Sequence, residues 1–81
     1  MQVDTFISNL REQYELLEDD VVITQDTKFK DLEDWDSLVA LSVIAMADDE
    51  YEVTLTGDDI RSVSTVKELY DLVQTKAGNN G

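Results

Sequence analysis

Ser37 is the residue whose setting could do chemistry. It stands in the stretch EDWDSLVALSVIAMADDEY, Glu33 to Tyr51, between an acidic segment and a run that is apolar on nearly every side. A serine becomes a nucleophile when a neighbouring base takes its proton, and that base is usually histidine. The chain has no histidine and no cysteine. Ser–Lys chemistry would need a desolvated lysine, and the nearest, Lys28 and Lys30, fall in an irregular segment. Zinc lacks its Cys and His ligands. The acids Asp31, Glu33, Asp34 and Asp36 invite comparison with a calcium loop. Counting from Asp31, however, puts Asp36 where that loop needs glycine and Ser42 where it needs glutamate. No glycine-rich phosphate loop is present. The chain is therefore expected to have no catalytic residue and no metal centre. Ser37 is better placed to be acted upon. At the first turn of a helix it lies beside free backbone N–H groups and the positive end of the helix dipole, where a phosphate ester is stabilised. On position alone, an ordinary capping serine is the simpler account.

The elements that must position Ser37 follow from periodicity. Val3, Phe6, Ile7, Leu10, Tyr14 and Leu17 recur at helical spacing and predict a first helix from about residue 4 to residue 17, with Asp4 at its cap. The segment through Trp35 has no helical period. Val21, Val22, Ile23, Phe29, Leu32 and Trp35 can pin it to a core, and a long ordered loop commonly carries function. A second helix is expected from Asp36 or Ser37 to about Tyr51. After an extended stretch, Thr56 can cap a short helical turn through Ile60. The last helix should begin at Ser64 or Thr65, with Glu68 completing a capping box and Gly78 as its stop. The expected fold is all-α: a small four-helix bundle of three main helices and one short one, with a long ordered loop between helices 1 and 2. It forms one domain over residues 1–77, with residues 78–81 as a frayed tail.

Nineteen acids against six bases give a formal net charge of −13. That charge opposes nucleic acid phosphates and anionic lipid, and attracts partners with basic surfaces. It also serves solubility. The longest apolar-dominated run, Leu38 to Ala47, is too short to span a bilayer, and the N-terminus lacks the basic-then-apolar pattern of a secretory signal. A soluble, cytoplasmic, monomeric protein is expected, without membrane insertion or nucleic acid.

Turning the second helix by 100° per residue puts Ala40, Val43, Ile44, Ala47 and Tyr51 on one side, taken as the core face. Ser42 and Asp49 point the other way, flanked by Leu38, Val39, Ala45 and Met46. Apolar residues there predict a docking surface for another protein, unless the preceding loop covers them. Asp48, Asp49 and Glu50 oppose the helix dipole in the last turn, as a basic partner would reward; a solvated acidic face would also tolerate them.

Asp36-Ser37-Leu38 resembles the Asp-Ser-Leu motif of the acyl carrier proteins. The likeness extends to ITQDTKF, Ile23 to Phe29, with Phe29 seven residues before Asp36; to Tyr51-Glu52-Val53-Thr54-Leu55; and to Val63-Ser64-Thr65-Val66. It covers roughly residues 3 to 75. The resemblance implies a covalent 4′-phosphopantetheine arm, taken from coenzyme A and esterified to Ser37. The arm's thiol would explain how a chain without cysteine carries thioesters. Asp36 matches the aspartate implicated in magnesium-assisted transfer of the arm. Ala40, Val43, Ile44, Ala47 and Tyr51 would line an acyl cavity or the core. Leu38, Val39, Ser42, Met46, Asp48 and Asp49 would face partners. Those partners would be a phosphopantetheinyl transferase and acyl-loading and acyl-processing enzymes with basic or apolar patches. The family commonly has Leu-Gly-x before Asp-Ser; here Glu33, Asp34 and Trp35 stand there, with Leu32 one residue earlier. Val39 and Ser42 also replace acids of typical fatty-acid carriers. Both departures are similar to what a specialised pathway carrier would show, in fatty acid or lipid/polyketide-type biosynthesis. An acidic helical adaptor without prosthetic group is the competing expectation.

Overall fold

The computed structural model describes residues 2–18 and 20–78. Helices α1 (Val3–Arg11), α2 (Ser37–Tyr51), α3 (Gly57–Ser62) and α4 (Val66–Gly78) follow in order, with a 3₁₀ turn at Phe29–Asp31. No strand occurs among the described residues. The architecture is the expected all-α bundle, in which α1, α2 and α4 pack against one another. The frayed tail was expected at 78–81: Gly78 is the last residue of α4, and the rest falls outside the described residues.

Helix α1 starts behind Gln2, which makes no side-chain cap, so Asp4 lies in the first turn rather than at the expected cap, where its charge still suits the helix dipole; the helix is also shorter than its apolar period. The chain tightens after Arg11, with Gln13 N–H and Tyr14 N–H donating to carbonyls three residues back at 3.0 Å. The Arg11 guanidinium donates across the bend to the carbonyls of Glu18 and Val21. Tyr14 nevertheless stays buried, because its hydroxyl donates to the Phe29 carbonyl at 2.6 Å. Burial raises its pKa well above the usual phenol range, with Asp34 adding to the rise.

The long loop is ordered by that bond and by two more. Val66 N–H and Lys67 N–H, in the first turn of α4, donate to the carbonyls of Thr27 and Gln25 at 2.9 Å. Donors that no helix can satisfy internally are thereby used to hold the loop. Ile23 and Phe29 are buried beneath it, and Leu32 and Trp35 pack against the core. Val22, expected to pin the loop, is 75% exposed instead; its neighbours take the inward positions.

The short helices are set by caps. Thr56 and Asp59 form a reciprocal capping box on α3, and Thr65 with Glu68 does the same for α4. Backbone N–H groups donating to the carboxylates hold Asp59 and Glu68 below the usual carboxylate range. Helix α2 ends differently. Glu52 adopts the left-handed conformation (φ 56°, ψ 38°), and its N–H and that of Val53 close back on Asp48 and Ala47. Phe6, Leu10, Phe29, Val43, Ala47, Val66, Leu69 and Val73 are fully buried at the centre.

Candidate functional site

Ser37 is the first residue of α2 and is exposed. Asp36, in extended conformation before it, caps the helix: its Oδ1 accepts from Val39 N–H at 2.9 Å. The capping role that a serine could have filled is thus taken by Asp36. The Ser37 hydroxyl has no hydrogen-bond partner among the described residues. It is set at the positive end of a 15-residue helix, where an anionic group is stabilised.

Two hollows flank it. On one side a groove of about 370 Å³ runs between the loop (Lys30, Trp35), α2 (Ala40, Ile44) and α3 (Gly57, Ile60, Arg61). On the other a smaller one of about 150 Å³ is lined by Gln13, Glu15, Leu16, Asp34, Leu38, Val39 and Ser42. Asp34 helps shape the second by accepting from Leu16 N–H at 2.8 Å.

The orientation of α2 corrects the expected one. Its buried residues are Val39, Val43, Met46 and Ala47. The inward face is therefore turned by about 70° from the one inferred by simple rotation. Val39 and Met46, expected on the outer docking side, are each only 6% exposed and belong to the core. Ala40, Ile44 and Tyr51 are half-buried at the edge of the core rather than at its centre. Ala40 and Ile44 line the groove beside Ser37. Val43 and Ala47 are fully buried. Tyr51 lies at the far end, where its hydroxyl accepts from Asn9 at 2.9 Å and its ring meets Phe6 at 5.8 Å. It is not part of the groove.

The outward surface is instead Leu38, Leu41 and Ala45, with Asp48 and Asp49 below and Ser42 half-covered at its edge. Leu38 is 72% and Leu41 61% exposed, and Leu16 from the loop is 80% exposed. Leu41 escaped the sequence reading, although its spacing of three from Leu38 was available as a signal. Lys28 and Lys30, weighed as possible bases, stay in the loop; the Lys30 ammonium is engaged by the carbonyls of Ile60 (3.0 Å) and Arg61 (3.5 Å), at the end of α3.

Comparison with known proteins fits this geometry. Residues 10–73 match the family described as the phosphopantetheine attachment site. Among solved structures, the solution NMR structure of a holo acyl carrier protein from Geobacter metallireducens is similar, with a TM-score of 0.77 and 24% identity. The match covers 96% of this chain and 87% of that one.

Proposed function

The chain belongs to the phosphopantetheine attachment-site family of carrier proteins, and from that premise we propose that Ser37 is the residue that bears the arm. The carrying observation is the division of labour at the start of α2. Asp36 holds the helix cap, and Ser37 presents a hydroxyl with no partner among the described residues. Loading forms a bond from Ser37 Oγ to the phosphorus of coenzyme A that bears the pantetheine arm, as the pyrophosphate bond from that phosphorus breaks; adenosine 3′,5′-bisphosphate leaves, and the hydroxyl proton passes to a base of the transferase. Asp36 keeps carboxylate lone pairs beyond the one used for capping, so it can also serve the magnesium-assisted transfer. When bound, 4′-phosphopantetheine supplies a thiol for thioesters, which the chain's own side chains lack.

The protein then acts as a carrier, not a catalyst. It holds acyl or aminoacyl groups and delivers them to partner enzymes in fatty acid or specialised lipid or polyketide-type biosynthesis. Leu38 and Leu41 form the apolar part of the docking face, with Ser42 at its margin, and Asp48 and Asp49 form the acidic part. Among the described residues the ion pairs are Arg61–Asp58, Lys67–Asp71 and Lys76–Asp59. All lie on α3 and α4, which leaves the acids of α2 for a basic partner. No helix of the described chain is long and apolar enough to cross a membrane.

The test is intact mass after incubation with coenzyme A and a phosphopantetheinyl transferase. One phosphopantetheinyl group should add to the protein, and none to Ser37→Ala. Addition to the alanine variant would refute the assignment of Ser37.

A further inference from the structure

We infer that Asp34 is a positioning residue for loading of the arm: it holds Leu16 beside Leu38, so that the transferase reads one leucine from the loop together with one from α2. The inference rests on Ser37 bearing the arm. The Asp34 carboxylate accepts from Leu16 N–H at 2.8 Å, across 18 residues of chain. The bond is charge-assisted, and stronger for it than one between neutral groups. Both leucines line the hollow of about 150 Å³ together with Asp36. Asp36 and Leu38 are the residues on either side of Ser37. An enzyme whose bound coenzyme A reaches Ser37 Oγ therefore covers this hollow as well. Glu15, Asp34 and Asp36 give it three carboxylates, and no basic side chain lines it. An apolar side chain set among bases on the transferase fits that lining.

Asp34 stands on a fixed base. The backbone N–H of Trp35 donates to the Leu32 carbonyl at 3.0 Å, which closes a turn with Asp34 inside it. The Trp35 ring then meets Phe29 edge-on at 5.4 Å and tilts against Tyr14 at 6.1 Å. Leu16 has no such support. Its side chain is 80% exposed, while that of its neighbour Leu17 packs against the core. Its N–H lies beyond the end of α1 and is satisfied by Asp34. A glycine, which carriers of this kind commonly have at the place of Asp34, has no side chain to make the bond.

The test is the rate of loading by a phosphopantetheinyl transferase at saturating coenzyme A, with the concentration of the whole, unloaded protein varied. Asp34→Ala should raise KM for the protein about fivefold and leave kcat within about twofold, the mark of a lost docking contact. Asp34→Asn keeps an accepting oxygen and should bring KM back to near that of the parent protein. Leu16→Ala should raise KM as much as Asp34→Ala does, and the double variant no further, because the two residues act as one unit. Leu16 is exposed, so its truncation leaves the fold intact and covers the case of an unstable Asp34 variant. Amide exchange at Leu16, read without any loading, should speed up in Asp34→Ala but not in Asp34→Asn. A parent protein that takes no arm, or a Ser37→Ala protein that does, overturns the reading of Ser37 and the inference with it. Three results overturn the role of Asp34 alone: an unchanged KM in Asp34→Ala, an Asp34→Asn protein as poor as Asp34→Ala, or alanine substitutions at 16 and 34 whose effects add.

Discussion

Val39 and Leu38 are neighbours on α2 with opposite roles, and substitution separates them. Leu38 is 72% exposed and Val39 only 6%. An aspartate at 38 meets water, so Leu38→Asp should change stability by no more than about 0.5 kcal/mol. It should still slow transfer of cargo by the cognate loading enzyme, since removing a docking contact can cost more than about 1 kcal/mol. Val39→Asp would instead bury an unpaired carboxylate in the core and should cost more than about 3 kcal/mol, enough to unfold much of so small a domain. Chemical denaturation of the two variants by circular dichroism is the check. A stable Val39→Asp protein would contradict the packing described for α2. The same contrast explains why Ser37 is free: Asp36 supplies the cap, and the cap's donor is the N–H of Val39 itself.

At the scale of the element, α2 is held at its two ends by unlike means. The N-terminal cap is favourable, whereas the C-terminus places Glu52 in the left-handed region and sets Asp48, Asp49 and Glu50 against the dipole, with no basic residue in the last turn. A glutamate in that conformation costs about 1 kcal/mol relative to glycine, which adopts it freely. Glu52→Gly should accordingly raise the midpoint of thermal unfolding by a few degrees while leaving Ser37 modification intact. A lower midpoint would mean that the Glu52 side chain contributes more than its backbone costs. By contrast, α3 and α4 begin with capping boxes, and the first turn of α4 also anchors the loop through Val66 and Lys67. The loop leading to Ser37 is thus positioned by the helix farthest from it in sequence.

For the whole molecule the controlling quantity is charge. A net −13 on 81 residues is self-repelling. The ion pairs among the described residues are confined to α3 and α4, and the Lys67–Asp71 and Arg61–Asp58 pairs are well exposed, so they relieve little of it. Added salt or millimolar divalent cations should therefore raise the melting temperature. A melting temperature that stays constant or falls with salt would show that self-repulsion is a minor contribution. The uneven placement of bases also leaves the last turn of α2, with Asp48, Asp49 and Glu50, without a basic neighbour on its own helix.

The order of the helices, the caps of α3 and α4 and the serine at the head of α2 were legible in the sequence because each depends on residues close together in the chain; the cap expected at Asp4 was not found, since α1 starts one residue earlier, behind Gln2. Thr56 with Asp59, Thr65 with Glu68, and Asp36 beside Ser37 act within one turn. The end of α1 was not, since an apolar period running to Leu17 cannot reveal that Arg11 reaches the carbonyls of Glu18 and Val21. The phase of α2 was not either. With Leu38, Val39, Leu41, Val43, Ile44 and Met46 distributed around its axis, periodicity favours no single face strongly. Which of them turn inward is decided by packing against α1, α4 and the loop, between residues distant in the chain. That packing alone buried Val39 and Met46, exposed Leu41, and left Trp35, Ala40, Ile44 and Ile60 as the wall of one groove beside Ser37.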